Sequence, residues 1–141
     1  MKILEVLTRK RKIGNIGEDI AAKELKKSGY KILKRNYVAL ESEIDIIAET
    51  KDTVAFVEVK TRSVEYENPR EPRPASAVTR EKQRKIITAA KYYLGGLNNT
   101  KHVSLDIIEV YLNKDGTKNR VLHIKNAFNA NTAYERKAYT K

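Results

Sequence analysis

Three residues in this chain could do chemistry together: Asp45, Glu58 and Lys60. They lie in two apolar runs, Glu43-Ile44-Asp45-Ile46-Ile47-Ala48 and Val54-Ala55-Phe56-Val57-Glu58-Val59-Lys60, joined by the polar stretch Glu49-Thr50-Lys51-Asp52-Thr53. Runs rich in Ile, Val and Phe with a short polar connection predict two strands of an antiparallel hairpin. A turn centred between Lys51 and Asp52 sets Asp45 directly opposite Glu58. Alternation along a strand keeps Glu58 and Lys60 on one face, about 6.6–7 Å apart, with Ile47 and Phe56 beside them. Two facing carboxylates repel, and burying them costs free energy unless a cation neutralises them. Hard Mg²⁺ prefers such oxygen ligands. A nearby lysine could orient or help deprotonate a water, or stabilise charge developing on a phosphate. The set suits metal-assisted hydrolysis of a phosphodiester. The same register also sets Glu43 opposite Lys60, so ordinary cross-strand ion pairs on a solvated face are the alternative. The charges interrupt otherwise apolar strands, which favours the chemical reading.

The elements that must position these residues are legible on either side. Asn15 to Ser28 reads as a helix, with Ile16, Ile20, Ala21 and Leu25 as its apolar stripe and Gly29 as its stop. Asn15 is a candidate N-cap, with Glu18 three residues on as in a capping box. Glu18 therefore has two readings of equal weight: closing the helix start, or aiming a carboxylate from its first turn toward the hairpin. Tyr30 to Leu40 reads as the first strand. Arg62 to Ala77 holds all three prolines, Pro69, Pro72 and Pro74, and reads as a loop flanking a substrate. Val78 to Leu94 reads as a second helix stopped by Gly95-Gly96, with Ile86, Ile87, Ala89, Ala90, Tyr93 and Leu94 on its apolar face. Gln83 lies one turn before Ile86 and Ile87, where a hydrogen bond to a loop is its ordinary use. Arg80, Lys82, Arg84 and Lys85, with Arg62 on the loop, offer a phosphate-binding surface; a solvated helix face is the usual alternative. Val103 to Leu112 and Arg120 to Lys125 read as strands joined by the turn signal Asn113-Lys114-Asp115-Gly116. Asp106 sits among apolar residues with no catalytic partner in sequence.

The chain has 141 residues, enough for one domain with a proper core. We read residues 1–13 as a basic, mobile amino-terminal segment, 14–128 as a single domain, and 129–141 as a polar, mobile tail. Lys and Arg number 29 against 18 Asp and Glu, a formal net charge of +11. That excess favours a polyanionic partner, nucleic acid first and an anionic membrane surface second. There is no cysteine, which excludes disulfides and Cys-ligated metal or iron–sulfur sites. His102 and His123, the only histidines, match no metal motif and give a Ser/His/Asp hydrolase little support. No apolar run is long enough to span a bilayer, and Ile3 to Leu7 is too short for a signal-peptide core, so a cytoplasmic location is expected.

Taken in order, Gly14-x-x-Gly17-Glu18, Glu43-Ile44-Asp45-Ile46-Ile47, Phe56-Val57-Glu58-Val59-Lys60-Thr61-Arg62, Lys82-Gln83-Arg84-Lys85 and Asn126-Ala127-Phe128 resemble the uncharacterised bacterial YraN-like family. That family belongs to the PD-(D/E)XK restriction-endonuclease-like superfamily, and the resemblance runs from Gly14 to Phe128. It implies an α/β fold with a restriction-endonuclease-like core, a central mixed β-sheet flanked by helices in α-β-β-β-α-β order. It also implies a metal-dependent nuclease site. Asp45 and Glu58 would match the two acidic ligands of Mg, with Mn as a substitute, and Lys60 the motif lysine. Glu18 would match the first-helix acid that makes a further metal or water contact, and Gln83 a helix glutamine near the site. Ile44 stands in place of the superfamily's proline, and Ser42 where this family usually has glycine, which implies a different turn there. The activity implied is endonucleolytic cleavage of DNA, with branched or Holliday-junction-like DNA a reasonable substrate; a non-catalytic nucleic-acid-binding module on the same scaffold is the rival. The partner expected is nucleic acid, DNA first, with no membrane; a homodimer is left open.

Overall fold

A computed structural model describes residues 3–66 and 74–133. Helix α1 (Ile3–Lys27) precedes three strands, β1 (Lys31–Ala39), β2 (Ser42–Glu49) and β3 (Thr53–Ser63). Helix α2 (Arg80–Gly95) follows, then β4 (His102–Leu112), β5 (Lys118–Ile124) and a single helical turn, α3 (Ala130–Ala133). The strands form one five-stranded sheet in the order β1-β2-β3-β4-β5. All neighbours are antiparallel except β3 and β4, which α2 links as a parallel pair. The expected mixed sheet flanked by helices is present.

Alternation along the strands builds a core on each sheet face. One face packs Val54 and Phe56 of β3 and Ile47 of β2 against Ile86, Ile87, Ala89 and Ala90 of α2. The other packs Ala55 and Val57 of β3 and Ile108 and Val110 of β4 against Ala21, Ala22 and Leu25 of α1. Helix α2 starts where Thr79 caps it, its side chain accepting from the Lys82 N–H at 3.2 Å.

The structure corrects three boundaries. Helix α1 begins at Ile3, so Asn15 lies inside it and cannot cap it. The basic run before Gly14 is helical backbone rather than a loose terminus. Glu18 therefore closes no capping box, and its structural reading is withdrawn. The expected loop after Lys60 is partly regular: β3 continues through Ser63, and short 3₁₀ turns occupy Val64–Tyr66 and Pro74–Ala77. Pro69 and Pro72 lie outside the described residues. Within the tail expected from residue 129, Ala130–Ala133 form α3 instead: Ala133 is fully buried and its carbonyl accepts from Arg84 Nε at 2.8 Å. The remainder of that tail, residues 134–141, lies outside the described residues.

Candidate active site

The β2–β3 hairpin has the register expected from its turn. Ile46 pairs with Val57, Ile47 with Phe56, Ala48 with Ala55 and Glu49 with Val54. The ladder stops at Ile46, one residue short of Asp45. There a side chain takes over from the backbone: Asp45 Oδ2 accepts the Val59 N–H at 2.8 Å. Asp45 and Glu58 thus meet where the two strands cease to pair, on one wall of a cleft of about 460 Å³. Ile13, Gly14, Glu18, Val59, Thr61, Arg62 and Ser63 complete that cleft.

Glu58 is 4% exposed. Its Oε1 lies 2.9 Å from Lys82 Nζ and 3.6 Å from Lys60 Nζ. Its other oxygen, Oε2, is buried with no hydrogen-bond partner among the described residues. Burial, and then the charge of Glu58, push the Asp45 carboxyl up to about 8, against the opposing pull of the Val59 N–H. Glu18 is raised too, by burial first, with Arg35 pulling the other way. A side-chain hydrogen bond with Asp45 pulls Glu18 down as well, while the charges of Glu43 and Glu58 push it up. For Lys82, burial disfavours the ammonium, but the Glu58 hydrogen bond and charge, with Asp45 and Glu43, outweigh it and raise its pKa.

Glu18 reaches the cleft from α1 because that helix lies unusually close to β3. A Cβ on Gly17 would sit 1.8 Å from Thr61 Oγ1, so only glycine permits this approach. Behind Glu18, Arg35 Nη2 lies 3.8 Å from Glu18 Oε2 and 2.8 Å from Asp19 Oδ1. With its amide turned to donate, Asn36 reaches Glu18 Oε2 at 3.2 Å and Glu43 Oε1 at 3.1 Å.

The structure brings Asp45, Glu58, Lys60 and Glu18 together. Gln83 Nε2 donates to the Val78 carbonyl at 3.1 Å, the ordinary loop bond. Its neighbour Lys82, expected to meet phosphates, is the α2 residue that contacts Glu58. Arg84 ties α2 to α3, and Lys85 pairs with Glu81 at 3.7 Å along the exposed helix face. Arg80 is exposed at the helix start, and Arg62 lines the cleft. Glu109 was not singled out by sequence. It is fully buried beside Lys60 in the β3–β4 register, and its Oε2 accepts the Ala75 N–H at 2.9 Å, seating the returning loop against the sheet.

Asp106 does have partners, but they form a separate knot. His123 Nε2 lies 2.7 Å from its Oδ2, while Ser104 Oγ and the Asn126 N–H, the latter at 3.0 Å, meet its Oδ1. The aspartate stands between serine and histidine, so this is not a nucleophile–base relay; it fastens the turn after β5.

A sequence profile of the uncharacterised protein family UPF0102 matches residues 17–110. The chain belongs to this family. The matched span contains Gly17, Glu18, Asp45, Glu58, Lys60, Lys82 and Glu109. Among UPF0102 relatives, a protein of Caldanaerobacter subterraneus subsp. tengcongensis is 46% identical over 122 residues, covering 84% of this chain and 96% of its own. One from Clostridium perfringens is 44% identical over 119 residues, covering 82% and 93%. One from Desulfosudis oleivorans is 42% identical over 130 residues, covering 91% and 98%. This is the YraN-like family that the motifs resemble.

Proposed function

We propose that this UPF0102 protein is a metal-dependent endonuclease that hydrolyses phosphodiester bonds of DNA. The observation that carries the reading is the Glu58 carboxylate, buried beside a second carboxyl with one oxygen left without a hydrogen-bond partner among the described residues. A buried carboxylate oxygen without a partner is costly, and a cation at that place removes the cost. The donor set is all oxygen, which fits Mg²⁺, or Mn²⁺ as a substitute. Asp45 and Glu58 are the residues that would hold it. The fit is to this pair rather than to a cage of three, since among the described residues no three acidic or histidine side chains are gathered for a metal. Glu18, engaged with Arg35 and Asn36, stands beside Asp45 as the first-helix acid, in place for a further metal or water contact.

A bound Mg²⁺ would supply a polarised phosphoryl oxygen and an acidified water. The chain's own residues supply the rest. Val59 N–H fixes the Asp45 carboxylate. Lys60 and Lys82 hold positive charge beside Glu58, where charge develops as the phosphate is attacked. The net charge of +11 draws in a polyanion. No helix among the described residues is long and apolar enough to cross a membrane.

One observation favours the rival, a non-catalytic nucleic-acid-binding module: Lys82 already compensates Glu58 without any metal. A panel of single-stranded, duplex, flap and four-way-junction DNAs, incubated with Mg²⁺, Mn²⁺ or EDTA, separates the two. Metal-dependent cleavage that is lost in Asp45→Asn supports the nuclease. Binding without cleavage on every substrate with either metal supports the module.

A further inference from the structure

The β1–β2 hairpin ends in a two-residue turn, Leu40-Glu41, closed by the pair Ala39 and Ser42. Both turn residues have positive φ, 51° and 65°. Such a turn is normally made by Asn and Gly, which take up the left-handed region far more readily than a bulky apolar residue. A leucine in this conformation breaks the local rule, and strained residues of this kind gather at functional sites. Nor is its side chain buried in recompense: Leu40 is 61% exposed, and Val38, two residues earlier, 68%.

The position of the tip supplies the function. Pairing with β3 covers only Ile46–Glu49 of β2. The part of the hairpin from Val38 to Asp45 overhangs the last rung, at the end of the sheet where Asp45 and Glu58 lie. Val38 is directly across from Glu43, which shares Asn36 with Glu18. The overhang therefore carries two exposed apolar side chains on the hairpin that leads into Asp45, in a strongly basic protein. Glu41 at the same turn is exposed, and its charge disfavours laying the tip along phosphates.

We propose that Leu40 and Val38 form an apolar wedge that unstacks a base step next to the phosphate held in the cleft. The proposal rests on the nuclease reading and names its substrate class: paired DNA at a branch or fork, where one step opens most easily. Apolar side chains inserted between bases do this work in many architectural proteins, at an unstacking cost that a junction lowers.

The test uses a forked duplex carrying 2-aminopurine at the branch, first in EDTA so that no cleavage intervenes. The variant is Val38→Thr with Leu40→Gly. Glycine relaxes the left-handed turn, so this variant should fold at least as well as the parent, which thermal melting checks. The parent should raise 2-aminopurine fluorescence on binding; the variant should bind within about threefold of the parent and leave fluorescence low. Then, with Mg²⁺, the variant should cut the paired fork about tenfold more slowly, a loss of about 1.4 kcal/mol, yet cut a fork with pre-opened bases at the parent's rate. Leu40→Met, which keeps an apolar tip, should behave as the parent.

Equal fluorescence from parent and variant overturns the wedge, as does a parent that cuts the fork without raising it. A parent that opens the fork but cuts nothing overturns the nuclease reading and leaves the wedge standing. A parent that is dimeric by sedimentation and a variant that is monomeric would make the tip a contact between two copies of this chain, and would also overturn the wedge.

Discussion

Lys82 Nζ lies 2.9 Å from Glu58 Oε1, while Oε2 of the same carboxylate is buried without a hydrogen-bond partner among the described residues. The lysine occupies the role of a cation but satisfies half of the carboxylate. Lys82→Ala should therefore destabilise the protein in EDTA by about 1–2 kcal/mol, since removing one partner exposes the desolvation cost of the other. The figure is modest because the Lys82 side chain is 45% exposed and Lys60 remains nearby. Excess Mg²⁺ should recover most of the loss, because an ion that binds only the folded state stabilises it. Thermal melts of parent and variant in EDTA and in Mg²⁺ check this; an equal loss in both would rule out a shared place for the lysine and the ion.

The raised Asp45 carboxyl makes metal-free stability depend on pH in a definite direction. Its pKa rises from the ordinary 3.8 to about 8 on folding, by burial first and Glu58 second. Between those values the unfolded chain has lost the proton that the folded protein keeps, so the Asp45 contribution to stability is fully present below about pH 4 and is lost as pH rises to 8. Asp45→Asn removes this slope and should melt higher than the parent at pH 8 in EDTA. Mg²⁺ must displace the same proton, so its affinity should climb about tenfold per pH unit below 8 and level off above. Denaturant curves and Mg²⁺ titrations from pH 5 to 9 test both, and a parent whose Mg²⁺ affinity is flat across that range would remove the ion from Asp45.

Gly17 is required by contact rather than by backbone angle. A Cβ there meets Thr61 Oγ1 at 1.8 Å, whereas a Cβ on Gly14 meets nothing within 4 Å. Gly17→Ala should push α1 away from β3 and cost about 1–3 kcal/mol, the usual range for overpacking. Gly14→Ala should be neutral or slightly stabilising, since glycine inside a helix is itself unfavourable by roughly 1 kcal/mol. Chemical denaturation of the two variants gives the comparison. Pairing Gly17→Ala with Thr61→Ala should restore part of the loss if the clash is the cause.

The register of the central hairpin was legible because it depends on one local fact, the centre of the turn, and every rung from Glu49–Val54 to Ile46–Val57 follows from it. What happens beyond the last rung was not, since the Asp45–Val59 bond arises where strand pairing gives way. The choice between Lys82 and Gln83 was equally hidden. Both lie one turn before the buried Ile86 and Ile87, and adjacent helix residues differ by about 100° in direction, so the exact rotation of α2 decides which one meets Glu58. The start of α1 was missed because Gly14 and Asn15 look like a break, while the basic run before them has no apolar stripe to mark it as helix. Glu109 carried no signal at all, for its partner is a backbone N–H 34 residues earlier in the chain.

Lys60 separates the nuclease from the binding module. It lies 3.6 Å from Glu58 Oε1 and beside buried Glu109 in the sheet, so its ammonium is held at the Glu58 carboxylate. On the nuclease reading, Lys60→Ala should abolish Mg²⁺-dependent cleavage, because its charge would act on the water or on the phosphate as charge develops in the transition state. It should leave DNA affinity nearly intact, since one lysine among 29 basic residues adds little to ground-state attraction. That attraction should itself weaken steeply with salt, with a slope of about −0.9 per phosphate contact on duplex DNA. Asp45→Asn should also stop cleavage, but by weakening the metal site; in EDTA its binding to DNA should be unchanged or tighter above pH 8, where the parent carboxylate is ionised and repels phosphate. Filter-binding and cleavage assays on the same preparations distinguish these cases. A folded Lys60→Ala protein that cuts at the parent's rate would remove Lys60 from the chemistry, and one that loses affinity and cleavage together would make it a binding residue.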